Sequence, residues 1–275
     1  MSNPLSFTNA ASIREEERKR LMLIGTAGSG KTLSICTLPG RMFIYAFDST
    51  VRETISGEKD VDFIEFLPTH DEADLAVQTL KKGVRDPSRG RAEPKQYVAW
   101  EEDWHKRIES NFFKDYDWVC LDSMTNFSDL IMSRVMFKNG RYGKQPEQAD
   151  YGADMTVMRN VISDLTTIGT NILVTAHVEL TKDEYTGRIL GQIMFTGKNR
   201  VRIPTKFTDI FATTVEDDAK GGAKFLIRTV PDRLNPVVRV SRSLKEQGLA
   251  DVEDVTVDLS KPLPGQGLGK YFKKD

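Results

Sequence analysis

Leu21-Met22-Leu23-Ile24-Gly25-Thr26-Ala27-Gly28-Ser29-Gly30-Lys31-Thr32 decides how the rest of the chain reads. Four apolar residues ending at a turn-forming glycine predict a short buried strand, and Gly30 to Leu38 follows as a helical pattern. The junction, Gly25 to Thr32, fits G-x-x-x-x-G-K-S/T in the context that spacing requires. Glycines at 25, 28 and 30 accept backbone angles closed to other residues. Successive N–H groups of Gly25, Thr26, Ala27, Gly28, Ser29 and Gly30 can therefore converge on phosphate oxygens. Lys31 is placed to reach the β and γ phosphates, and Thr32 to offer its hydroxyl to Mg²⁺. The expected ligand is a nucleoside triphosphate, ATP with Mg²⁺.

A metal on a triphosphate needs a second anion from a neighbouring strand. Asp117-Trp118-Val119-Cys120-Leu121-Asp122-Ser123 supplies one, with Asp122 at the carboxyl end of the predicted strand Trp118 to Leu121, where open α/β sheets bind ligands. Other predicted strands are Met42 to Phe47, Val61 to Leu67 and Asn171 to Val178. Helical patterns fall at Asp71 to Val84, Thr125 to Lys138 and Tyr151 to Ile168, the last with Met155, Met158, Ile162 and Leu165 at intervals of three and four. Strands alternating with helices imply an α/β fold with a mostly parallel sheet covered on both faces. Beyond Lys206 the runs Phe207 to Val215, Phe225 to Val230 and Val237 to Val240, divided by turn-rich segments, predict antiparallel strands added toward the C-terminus. The chain divides into an N-terminal arm over 1–20, a core over 21–240 and a C-terminal extension over 241–275. From about Ser260 that extension reads as a mobile tail.

Size and charge agree with this frame. The 275 residues, 39% hydrophobic and 29% charged, describe an ordinary globule, and a formal net charge of -1 excludes a polycation that coats nucleic acid indiscriminately. The two cysteines, Cys36 and Cys120, lie in apolar stretches as small core residues, which together with the absence of an apolar leader predicts a reducing cytoplasm. No run reaches the roughly 18 apolar residues of a membrane span.

No guanine-reading N-K-x-D or D-x-x-G switch stands in a suitable place, and no Arg-rich lid suggests a small-molecule kinase. With Leu121-Asp122-Ser123 and Thr175-Ala176-His177-Val178-Glu179, the order of motifs from Leu21 to Val230 resembles the RecA-like ATPase core. More narrowly it resembles the compact RecA-like P-loop ATPases of bacteriophages associated with single-strand annealing and recombination. That resemblance implies a RecA-like fold and hydrolysis at subunit interfaces of a ring or filament. It places His177 as the γ-phosphate sensor and Asp48, with Glu53 in reserve, as the acid orienting water. Ser49-Thr50 stand where the family has a glutamate, which leaves the base open. A neighbour's cation would come from Lys198, Arg200 or Lys206. His70 and His105 receive no chemistry.

Two stretches rich in cations also speak for single-stranded DNA. Leu130 to Pro146 carries Arg134, Lys138, Arg141 and Lys144 with Phe137 and Tyr142 among them, and Ile189 to Thr205 carries Lys198, Arg200 and Arg202 around Phe195. Neither has an acid. Cations follow phosphates while aromatics stack on bases, without sequence preference. The resemblance puts DNA-binding loops in both intervals, with Lys138, Arg141, Tyr142, Lys144 and Arg202 as contacts. Phe7-Thr8-Asn9-Ala10 matches an F-x-x-A docking pattern. The end, Gly267 to Lys274, reads as frayed, with DNA or a single-strand-binding protein as the alternative contact. The expected activity is DNA-dependent ATP hydrolysis that serves annealing or strand exchange. The alternatives are a motor-type ATPase of DNA packaging or unwinding, and a nucleotide-gated DNA-binding protein that does not hydrolyse.

Overall fold

The computed structural model describes residues 18–69, 94–142, 144–182, 184, 187, 189–218 and 221–272. The predicted helix over 71–84, the F-x-x-A stretch and His70 lie outside them. The strands are β1 Arg20–Gly25, β2 Met42–Ala46, β3 Val61–Glu65, β4 Trp118–Asp122, β5 Asn171–Lys182, β6 Ile189–Ile193, β7 Asp209–Asp217, β8 Ala223–Arg228 and β9 Val252–Asp254. They form one sheet in the order β3-β2-β4-β5-β1-β7-β8-β9, with β6 paired to β5. The strands from β3 to β7 are parallel, and β8, β9 and β6 join antiparallel. This is the α/β P-loop architecture with antiparallel strands toward the C-terminus.

Alternation along each parallel strand builds two cores. Met22, Ile24, Phe43, Tyr45, Val119 and Leu121 face one side, against α3 (Lys95–Glu109), α4 (Met124–Lys138) and α5 (Gln148–Thr167). Leu21, Leu23, Met42, Ile44, Trp118 and Cys120 face the other, against α1 (Lys31–Cys36), α2 (Val51–Ile55) and the C-terminal extension. Both cysteines are free and buried, as their apolar settings predict. Helix α3 escaped the sequence reading, although Tyr97, Trp100 and Trp104, all buried, recur at intervals of three and four.

Two expectations need correction. Val237 to Val240 contributes only a bridge between Arg239 and Ile210, because β8 pairs with β7 from Ala212 onward and leaves Ile210 free at the edge; the outer strand is β9. Over residues 261–272 the extension is packed rather than mobile. Leu263, Leu268 and Phe272 are buried, the Phe272 ring meets Trp118 edge-on at 5.4 Å, and Gly269 N–H donates to Thr37 Oγ1 at 3.0 Å. The apolar residues in that Gly- and Lys-rich end decide its fate, since burying them against the helix side of the sheet outweighs the freedom of the glycines. Among the described residues no helix is long and apolar enough to cross a membrane.

Candidate nucleotide site

The strand register brings the site together. Gly25 stands beside His177 of β5 on one flank and Thr213 of β7 on the other, while Ala46 of β2 stands beside Asp122 of β4. The carboxyl ends of β1, β2 and β4 and the point at which β5 runs past β1 therefore share one edge, where the phosphate loop turns into α1. Gly30 has φ 81°, in the left-handed region that any side chain would strain. Ser29 pins the loop from within, its hydroxyl lying 2.6 Å from Thr213 Oγ1 and 2.7 Å from the Thr26 carbonyl.

Lys31 is 6% exposed and donates to the carbonyls of Thr26 at 2.8 Å and Gly25 at 3.1 Å. Burial lowers its pKa below the ordinary lysine value, and the charges of Asp122 and Asp48 pull it partway back. Thr32 Oγ1 donates to Asp122 Oδ2 at 2.6 Å, and Thr175 holds the other carboxylate oxygen. Asp122 is 3% exposed. Its pKa is pushed up by burial, against which the hydroxyls of Thr175 and Thr32 favour the ionised form. The hydroxyl of Thr32 and the carboxylate of Asp122 are hard oxygen donors in contact, the donor set that Mg²⁺ takes when it arrives with a triphosphate.

His177 and Asp48 join this group from separate strands. The imidazole Nδ1 lies 3.5 Å from Lys31 Nζ, and Nε2 lies 3.8 Å from Asp48 Oδ2. Burial, then the Lys31 charge, lowers the His177 pKa below about 6.5, so the ring is neutral at pH 7. Its backbone N–H donates to Thr125 Oγ1 at 2.9 Å, which ties β5 to α4. For Asp48 burial acts upward, but the N–H and hydroxyl of Thr50, at 2.9 and 2.8 Å, with His177 and Asn126, outweigh it and hold the carboxyl below its ordinary value. Glu53 is exposed on α2 and has no comparable partners among the described residues. Thr175, Thr125 and Asn126 were missed as orienting groups; only the position of Thr175 two residues before His177 signalled one of them.

The basic segments differ. Tyr142 is buried with Phe137 and Met136, and Phe195 is buried in the main core, so none of these rings offers a stacking face in this conformation. Apolar neighbours claim them because ring burial in a protein core removes far more apolar area than a surface loop could. Arg141 is engaged by the buried carboxylate of Asp150. Lys138 and Lys144 are exposed. Lys198, Arg200, Arg202 and Lys206 are exposed too, just beyond β6, and none is bonded to Lys31, Asp122 or His177 among the described residues. Their segment is nevertheless joined to His177, because Met194 N–H donates to the His177 carbonyl at 2.9 Å.

Residues 17–235 match the family model described as an AAA domain. No curated protein matches the chain. Among solved structures, a KaiC-like protein of the hyperthermophilic archaeon Pyrococcus horikoshii OT3 is similar at 9% identity over 76% of this chain and 77% of that chain, with a TM-score of 0.38. An ATPase of the type III secretion system of pathogenic bacteria is similar at 12% identity over 71% of this chain and 52% of that chain, with a TM-score of 0.38. The ATPase DotB of Legionella pneumophila is similar at 8% identity over 77% and 45%, with a TM-score of 0.28. The chain spans about half the length of the last two. Likenesses this distant assign no activity.

Proposed function

The chain belongs to the AAA-domain family, and on that premise we propose that it is a P-loop ATPase of the RecA-like type whose activity depends on DNA. In this reading it assembles side by side on single-stranded DNA and promotes annealing or strand exchange in phage recombination. The observation that carries the proposal is the convergence of Lys31, Thr32, Asp48, Asp122 and His177 from separate elements onto one edge of the sheet. The link from the His177 carbonyl to the strand that leads into Lys198–Lys206 supports coupling of that edge to DNA.

The chemistry follows from the protein's own groups. Lys31 neutralises charge on the β and γ phosphates, and neutral His177 donates a hydrogen bond to a γ-phosphate oxygen. Asp48, ionised and beside His177, accepts a proton from the attacking water. Thr32 and Asp122 would hold Mg²⁺, which would supply charge neutralisation at the phosphates. A neighbouring subunit contributes one of Lys198, Arg200 or Lys206 at the same phosphate. ATP bridging two subunits then strengthens the assembly by linkage.

The test is the ATPase rate with and without single-stranded DNA in wild type, Lys31→Ala and Asp48→Ala. DNA should accelerate the wild type, Lys31→Ala should lose nucleotide binding, and Asp48→Ala should bind ATP but hydrolyse it about 10²- to 10⁴-fold more slowly. A rate indifferent to DNA, with no DNA complex formed in ATP, sinks the proposal. A non-hydrolysing, nucleotide-gated DNA-binding protein is the second reading. It is favoured by Thr50, which already occupies Asp48 Oδ1 with two donors. Turnover at background under saturating DNA would select it.

A further inference from the structure

Every group assigned to the reacting phosphate lies on one flank of β1. Asp122 ends β4, His177 stands where the pairing of β5 with β1 stops, and Asp48 follows β2; all are on the same side of β1 in the strand order, and Lys31 leans toward them. A triphosphate whose γ end points to that flank directs its sugar and base toward the opposite one, where β7 and β8 follow β1. On this second flank the ring of Phe225 lies against the phosphate loop, so close that a Cβ added at Gly30 would stand 2.8 Å from its Cδ1.

Phe225 is not alone there. Val215 is its direct partner across β7 and β8, and directly opposed residues of an antiparallel pair share a face. That face is the phosphate-loop face, because Thr213, two residues before Val215, reaches Ser29. Val215 is 42% exposed, and Leu33 on α1 is partly buried against the same core cluster as Phe225. Phe225 and its cross-strand partner Val215 thus present a partly exposed apolar surface beside Gly30, with Leu33 packed on the same core cluster.

We infer that Phe225, flanked by Val215 and Leu33, is the platform on which the nucleobase stacks. The inference rests on the nucleotide-binding reading and deepens it. Ring-on-ring stacking accepts any base, since every base presents a π-face. The competing role for Phe225 is a prop that only shapes Gly30.

Calorimetric titration with two probes separates these roles: ATP with Mg²⁺, and inorganic tripolyphosphate with Mg²⁺, which has no base. Phe225→Ala should weaken ATP binding about tenfold or more and leave tripolyphosphate within about twofold of wild type. Phe225→Trp should restore ATP affinity. Phe225→Leu, which keeps apolar packing on Gly30, should behave like Phe225→Ala, so the result does not depend on the smaller variant folding well. Equal loss of both ligands would make Phe225 a prop, and unchanged ATP affinity would place the base elsewhere; either outcome overturns the inference while leaving the nucleotide site intact. Failure of wild type to bind either ligand would instead overturn the nucleotide reading, and this inference with it. Lys31→Ala, which should lose both ligands, serves as the control for the phosphate end.

Discussion

Segments 138–144 and 198–206 carry the same kinds of residue in the sequence, cations without an acid among them, yet the fold treats them differently. In the first, the Arg141 guanidinium meets Asp150 in the first turn of α5, Asn139 donates to the same carboxylate at 2.7 Å, and Tyr142 packs on Phe137 and Met136. In the second, Asn199, Ile203 and Pro204 turn inward, Arg239 binds the carbonyls of Pro204 and Phe207, and Lys198, Arg200, Arg202 and Lys206 remain at the surface. A run of cations is therefore a reservoir that internal carboxylates can draw on first. Only what they leave exposed can meet a polyanion.

The sharpest way to break this comparison is to remove three of the exposed cations of the second segment. Arg200→Ala, Arg202→Ala and Lys206→Ala together should weaken single-stranded DNA binding about 100-fold at low salt and reduce the salt slope by about 0.7 for each phosphate no longer neutralised. Fluorescence anisotropy across a salt series reads both quantities. An unchanged slope would remove this segment from the DNA site.

The next largest effect belongs to the captive segment. Asp150 has no exposed surface, so Asp150→Ala removes the carboxylate that Arg141 and Asn139 bond and should lower the urea midpoint, with the DNA salt slope retained. The loss should depend on pH in a definite direction. The hydrogen bond from Arg141 holds the Asp150 carboxyl down at about 2, whereas the unfolded chain protonates it at roughly 3.9. The native state thus stays ionised where the unfolded state takes up a proton. The stabilisation is complete above about pH 4 and disappears as pH falls toward 2. Urea midpoints of wild type and Asp150→Asn at pH 7 and at pH 2.5 should show a wide gap and then a narrow one; a constant gap would mean that charge on Asp150 is not what it contributes.

Tyr142→Phe should have the smallest effect. With its ring buried, the variant should keep DNA affinity within about twofold of wild type at every salt concentration. A larger loss by anisotropy would show that the segment opens to bring the Tyr142 hydroxyl to the DNA.

Much of the fold was legible because period-two burial and strand length are local properties. Leu21 to Ile24 and Trp118 to Leu121 are too short and too apolar to be anything but buried strands between turns, and both are. The antiparallel pair β7 and β8 was visible in its turn-rich divider. What failed was reading chemistry from composition beyond Ser260. Leu263, Leu268 and Phe272 are separated by glycines, prolines and lysines that mimic a tail, and only the surface of α1 and the foot of β4 reveal why they bury. Within the site, Lys31, Thr32 and Asp122 could be named from spacing, whereas Thr125 and Thr175 could not. A threonine becomes an orienting group only when a neighbouring strand or helix presents its hydroxyl to the right atom.

By itself the sequence determined the phosphate loop, the paired acid and the alternation that makes the sheet parallel, because glycine angles, strand periodicity and helix spacing are set within a few residues. Only the tertiary structure decided that Asp48, Asp122 and His177 share one edge, that Phe225 lies against Gly30 from the other flank, and which cations remain available. Those facts depend on strand order and register between segments more than fifty residues apart, and no local pattern encodes which strand lies next to which.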